Sequence, residues 1–207
     1  MTAGRVIRSF AAPEGEARDI DWIAGWLWFV GSGLDQIYQL DSITGRVVHS
    51  FSTPAVIPYG LAWAGRRLWL TDTGTNLYYE LDPISGRIIR TLPALSPGSY
   101  ALMWDGKYLW TCDEFTDQIY QFDPVTGKAV RILSSPGLKP TGLAWDGRTI
   151  WHCDYGSLLI YQLDPTTGRV LKSFSAPGSL LTGLAYDGHC LWCVDPTTDL
   201  IYQFAVD

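Results

Sequence analysis

Gly142-Leu143-Ala144-Trp145-Asp146-Gly147-Arg148-Thr149-Ile150-Trp151-His152-Cys153, and after it Ile160-Tyr161-Gln162-Leu163-Asp164-Pro165-Thr166-Thr167-Gly168-Arg169, reads as short strands separated by turn signals. Gly142–Trp145 is a first strand, and Asp146-Gly147 is a two-residue hairpin signal. Thr149–Cys153 is a second strand, and a looser stretch from Asp154 to Leu159 leads to a third, Ile160–Leu163. Asp164-Pro165-Thr166-Thr167-Gly168 is a turn, because proline presets φ and glycine accepts the positive φ that ends it. Arg169–Phe174 is a fourth strand, and a Pro-Gly loop follows.

The same pattern fills the chain. Ile37-Tyr38-Gln39-Leu40, Tyr78-Tyr79-Glu80-Leu81, Ile119-Tyr120-Gln121-Phe122, Ile160-Tyr161-Gln162-Leu163 and Ile201-Tyr202-Gln203-Phe204 start 41 residues apart. Gly4, Gly45, Gly86, Gly127 and Gly168 keep that spacing, and so do Trp28, Trp69, Trp110, Trp151 and Trp192. Four antiparallel strands per 41-residue repeat is the pattern of a propeller blade. The expected fold is therefore all-β: one five-bladed β-propeller with blades at about 18–51, 59–92, 100–133, 141–174 and 182–207. The last of these has three strands of its own, and residues 4–10 supply the fourth. Aromatics recurring in every blade are read as core packing.

The 207 residues are 47% hydrophobic and carry a net charge of −6, with no basic surplus of the kind nucleic acid binding requires. No apolar run reaches the roughly 20 residues that span a bilayer. The expectation is thus no nucleic acid partner, no membrane partner and, with no signal peptide visible, a cytoplasmic location. Cys112 and Cys153 fall at one position of consecutive repeats, and Cys190 and Cys193 point to opposite faces of one strand, so all are expected to be core thiols. Arg5, Arg46, Arg87, Lys128 and Arg169, with Arg8, His49, Arg90, Arg131 and Lys172, lie on the outer strand, where cations discourage pairing with another chain.

The consensus Gly-Leu-Ala-Trp-Asp-Gly, Leu-Trp, Asp, Ile-Tyr-Gln-Leu-Asp-Pro, Thr-Gly-Arg covers the whole chain. It resembles the NHL-like, YVTN-like and streptogramin-lyase-like propeller repeats. In blade count it is most similar to the glutamine cyclotransferases, which convert N-terminal glutamine to pyroglutamate. That resemblance implies a carboxylate and aromatic residues near the channel mouth, and Glu114 is the nearest match by position.

A site has to be argued apart from the fold. The loops between strands two and three vary from repeat to repeat: Ser32-Gly33-Leu34-Asp35, Thr73-Gly74-Thr75-Asn76, Glu114-Phe115-Thr116-Asp117, Tyr155-Gly156-Ser157-Leu158 and Pro196-Thr197-Thr198-Asp199. They share one end of the ring with the blade-to-blade loops, and this end is the candidate functional face. Asp72, Asp113, Asp154 and Asp195 end strand two, with Gly31 in the first blade. They offer a carboxylate ring for calcium, or each accepts N–H bonds and orders its own loop. No other cofactor is expected. Asp19 and Asp21 stand where other blades carry Gly60 and Ala62, after Arg18. Two carboxylates near a channel can do acid–base work, or form a solvated or Arg-paired patch. Tyr59 and Tyr100, with Arg18 at the equivalent place and with Phe115 and Tyr155, are candidates for an aromatic ligand-binding mouth. His152 is read as a hydrogen-bonded core residue.

Equal blade lengths favour a non-catalytic scaffold that binds a small molecule or a protein at the variable face. Two alternatives remain. One is a channel-mouth enzyme of cyclotransferase or lyase type using Asp19, Asp21 and Glu114. The other is a multivalent lectin similar to the tachylectins, which needs five like sites.

Overall fold

A computed structural model describes residues 3–206. Asp207, the expected end of the fifth blade, lies outside the described residues. Blade 1 is β2 (Ala17–Ile23), β3 (Trp26–Gly31), β4 (Gln36–Asp41) and β5 (Val47–Ser52). Blade 2 is β6 (Pro58–Ala64), β7 (Arg67–Asp72), β8 (Leu77–Leu81) and β9 (Ile88–Pro93). Blade 3 is β10 (Met103–Trp104), β11 (Leu109–Asp113), β12 (Gln118–Phe122) and β13 (Ala129–Ser134). Blade 4 is β14 (Pro140–Trp145), β15 (Ile150–Asp154), β16 (Leu159–Leu163) and β17 (Val170–Ser175). Blade 5 is β18 (Gly183–Tyr186), β19 (Cys190–Asp195) and β20 (Leu200–Ala205), closed by β1 (Val6–Ala11).

Each blade is a separate four-stranded antiparallel sheet, and the inner strands β2, β6, β10, β14 and β18 touch in a closed cycle. The closing strand pairs antiparallel to β20, Ser9 opposite Tyr202 and Phe10 opposite Ile201. The Phe10 ring then lies 5.9 Å from Trp192. Closure packs blade 5 against blade 1, so each blade has a neighbour on both sides. Trp22 of blade 1 stacks on Trp192 of blade 5 at 6.2 Å, and Tyr78 of blade 2 on Phe122 of blade 3 at 4.6 Å.

The hairpin between strands one and two departs from the sequence reading. Asp146 is not a central turn residue: its N–H pairs with Thr149 O, so Gly147 and Arg148 turn the chain. Asp146 Oδ1 caps the turn by accepting the Arg148 and Thr149 N–H groups. Its Oδ2 accepts Trp151 Nε1–H at 2.9 Å. Asp105 with Trp110 and Gln121, and Asp187 with Trp192 and Gln203, repeat the arrangement. The recurring Asp, Trp and Gln are thus one hydrogen-bonded unit per blade in blades 3 to 5.

The inner strands approach closely. A Cβ on Gly183 would lie 2.6 Å from Asp19 Cα, and one on Gly60 2.6 Å from Leu102 N. Glycine at these positions makes room for the neighbouring blade's backbone rather than only for the aromatics. The outer cations also have a more specific role than edge protection. Arg8 donates to Ile43 O, Arg90 to Val125 O, Arg131 to Thr166 O and Lys172 to Val206 O, while His49 Nε2 lies 3.0 Å from Ile84 O. Arg8, His49, Arg90 and Arg131 tie their outer strands to the following blade's turn, and Lys172 ties its strand to the segment after β20. All four cysteines are free thiols.

Candidate functional site

Ring positions 18, 59, 100, 141 and 182 lie at or just before the starts of the inner strands, and their side chains meet at the mouth of the axis. Arg18, Tyr59, Tyr100, Thr141 and Thr182 line a pocket of about 290 Å³ there, with Glu114 and Tyr155 from strand two–three loops and Leu180 from the blade-to-blade loop before blade 5. Five of the residues singled out in the sequence therefore converge: Arg18, Tyr59, Tyr100, Glu114 and Tyr155. Phe115 does not join them. It is 68% exposed, and its ring lies against Gly98 at the side of the loop.

The Tyr59 and Tyr100 rings meet at 4.3 Å with 60° between planes, and the Arg18 guanidinium lies 4.6 Å from the Tyr59 centroid. Arg18 is held from behind: its Nε donates to Ser32 Oγ at 2.9 Å and its Nη2 to Glu16 Oε2 at 3.3 Å. Tyr100 O–H donates to Glu114 Oε1 at 3.0 Å, and Lys139 Nζ stands 3.9 Å from Glu114 Oε2. Burial, then the bond to Glu114, raises the Tyr100 phenol above its ordinary value, so it stays a donor. Lys139 was not singled out by the sequence reading. The signal was present, for it is one of two Lys or Arg residues on the variable face.

Asp19 and Asp21 lie below this pocket and, among the described residues, neither is paired with an arginine; Asp19 is buried, and Asp21 is half-buried beside a second cavity. Asp19 is fully buried: Oδ1 accepts Ile20 N–H, and Oδ2 accepts Leu61 N–H at 2.9 Å and Leu102 N–H at 3.4 Å. One carboxylate from blade 1 thereby spans the axis to blades 2 and 3 and packs on Gly183 of blade 5. Asp21 accepts Trp22 and Trp63 N–H, both at 2.7 Å, and borders a second, lower cavity of about 150 Å³. Burial drives both carboxyls toward the protonated form, Asp19 well above its ordinary value and Asp21 up to about 7. Inner strands are sheet edges with unpaired N–H groups, and these two side chains satisfy five of them.

Asp72, Asp113, Asp154 and Asp195 each brace their own loops. Asp72 accepts Val56, Ile57 and Gly74 N–H, all at 2.9 Å, so it joins the blade-to-blade loop to the strand two–three loop. Asp113 accepts Phe115 and Thr116 N–H, Asp154 accepts Lys139 and Ser157 N–H, and Asp195 accepts Ser179 and Thr197 N–H. Among the described residues, no group of three or more His, Cys, Asp or Glu side chains converges as a metal site.

Blade 1 lacks this aspartate, and the sequence reading missed what replaces it. Glu14, in the preceding loop, reaches the vacant place: Oε2 accepts Leu34 N–H at 3.0 Å and Tyr38 O–H at 3.2 Å. A Cβ on Gly31 would collide with Glu14 Oε1. The positions equivalent to Glu14 are Ala55, Ser96, Gly137 and Gly178, which are small wherever the aspartate is present. His152 is wholly buried, with Nδ1 3.1 Å from Gly142 O and Nε2 3.1 Å from Ser135 Oγ, and burial lowers its pKa to about 4.

No protein-family model matches the sequence, and no curated protein does. Solved structures do. A glutaminyl cyclase from Myxococcus xanthus superposes with a TM-score of 0.83 at 17% identity, covering 98% of this chain and 96% of that one. A catalytically inactive virginiamycin B lyase from Staphylococcus aureus, solved with quinupristin, gives a TM-score of 0.58 at 16% identity, covering 96% of this chain and 72% of that one. At these identities the likeness is one of fold, and the chain is a five-bladed β-propeller whose structural neighbours include enzymes.

Proposed function

We propose that this propeller binds a small polar ligand in the axial pocket of its variable-loop face, without chemistry on it. One observation carries the reading: Arg18, Tyr59, Tyr100, Glu114 and Tyr155, all at positions where the repeats diverge, line one cavity. Asp19 fills the axis beneath it, so the pocket is a blind cup rather than a through-channel. Blind cups lined by aromatic rings and a few placed polar groups suit small ligands. The five ring positions are one arginine, two tyrosines and two threonines, and the strand two–three loops differ in every blade, which supports one site per molecule rather than the five like sites of a lectin. The test is thermal unfolding against calcium, EDTA, sugars and glutaminyl peptides. A compound bound only by the folded state adds about 2.7 kcal/mol at 100 times its Kd. The expected rise is confined to one class and is lost in Tyr155→Ala. A rise untouched by Tyr155→Ala and Tyr100→Ala would place the site elsewhere.

A second reading has its own support. Glu114 is a carboxylate at the pocket wall with one oxygen held by Tyr100, a geometry suited to moving a proton. A structural neighbour is a glutaminyl cyclase. On this reading the amino group of an N-terminal glutamine attacks its side-chain amide carbon, the new C–N bond forms and ammonia leaves. Glu114 carries the proton from the amine to the departing nitrogen. Ammonia release from a glutaminyl peptide, abolished in Glu114→Gln with the unfolding midpoint unchanged, is the result it requires.

A further inference from the structure

We infer that the axial pocket selects an organic monocation, an ammonium head with small alkyl groups, over neutral or anionic ligands of the same size. The inference rests on the pocket being the ligand site. Three observations carry it. First, the walls are aromatic on several sides. Tyr59 and Tyr100 make a corner with rings 4.3 Å apart, and Tyr155 comes from another loop. Ring faces are electron-rich and attract cations. This wall already accepts one, since the Arg18 guanidinium lies 4.6 Å from the Tyr59 centroid.

Second, Glu114 has spare acceptor capacity. Its Oε1 takes the Tyr100 hydroxyl, while Oε2 faces Lys139 at 3.9 Å, too far for a hydrogen bond. Third, the molecule is electrically lopsided. Only two of its fifteen Lys and Arg residues, Arg18 and Lys139, sit in the variable-face loops or the strand ends that feed them. Ten of its 21 acidic residues do. Arg18 donates Nε to Ser32 and Nη2 to Glu16, whose carboxylate offsets its charge. A negative potential over a concave mouth raises the local concentration of cations and speeds their arrival.

The test is calorimetric titration with choline chloride and with 3,3-dimethylbutan-1-ol, which has the same shape and no charge. Choline is expected to bind at least about tenfold more tightly, which is about 1.4 kcal/mol. Its affinity is expected to fall as NaCl is added and to drop about tenfold in Glu114→Gln. Equal affinity for the alcohol overturns the inference, and that comparison needs no variant. Choline silent while a sugar or an anionic probe binds, with loss in Tyr155→Ala, also overturns it but leaves the ligand-binding reading intact. Silence from every probe overturns both.

Discussion

Asp19 and Asp21 hold protons more tightly in the folded chain than in the unfolded one, because folding takes their carboxyls out of water. The sign for stability follows. A carboxyl whose folded pKa is raised contributes stability at low pH and loses it as pH rises through the folded value. For Asp21 the window runs from 3.8 to about 7. His152 works the other way. Its folded pKa lies near 4 against an ordinary 6.5, so its contribution is full above 6.5 and is lost as pH falls toward 4. Removing that linkage is expected to flatten the acid limb by about 3 kcal/mol. The two effects oppose each other over one pH range and partly cancel in the parent protein. His152→Leu, which copies Leu70 of blade 2, is expected to leave stability falling steadily as pH rises. Asp21→Ala removes one of the two falling contributions, Asp19 keeping the other, and is expected to shift the profile toward a rise relative to His152→Leu. Urea midpoints across that range decide, and parallel profiles in the two variants would refute the assignment. The sequence marked Asp19 and Asp21 as breaks in the repeat. It could not tell that they are bonded across the axis, because the Leu61 and Leu102 amides lie 42 and 83 residues away in other blades.

Within a blade, the loop between strands two and three repeats its backbone while its sequence drifts. Asp35, Asn76, Asp117, Leu158 and Asp199 all have φ between 53° and 57°, the left-handed region. Aspartate and asparagine tolerate it, whereas leucine does not adopt it readily. Leu158→Asn is therefore expected to stabilise by about 0.5–1 kcal/mol, read as a raised unfolding midpoint. The Glu14 and Gly31 pair makes a sharper case. Gly31→Asp alone brings a second buried carboxylate onto Glu14, and Glu14→Gly alone strips acceptors from Leu34 N–H and Tyr38 O–H. Each single change is expected to cost about 1–3 kcal/mol. The double variant rebuilds the arrangement of the other blades and is expected to recover most of the loss. A double-mutant cycle with no coupling would refute the exchange. The gap at Gly31 was legible by lining up the repeats. Its filler was not, because Glu14 sits in a loop with no strand periodicity to mark it.

Across the whole molecule, the fold was the most legible feature. A 41-residue spacing of turns and tryptophans constrains every blade at once, and the ring count follows from length. The pocket was half legible: divergence among repeats pointed to its rim, but Phe115 turned outward and Lys139 passed unnoticed. Closure depends on β1 meeting β20 across nearly the full chain. Deleting residues 3–11 is expected to leave blade 5 with three strands, uncover Trp192 and abolish cooperative unfolding; a sharp transition at the parent midpoint would contradict that. The same seam has another consequence. Gly4 N–H donates to Ala205 O at 2.9 Å, so the two ends of the described chain already touch. The ring itself has no privileged origin. Joined there by a short linker and reopened between any two blades, the polypeptide becomes a circular permutant with the same inner contacts. The break in covalent continuity, and with it the last strand to dock, can then be carried around the ring one blade at a time while the cup at the axis stays where it is.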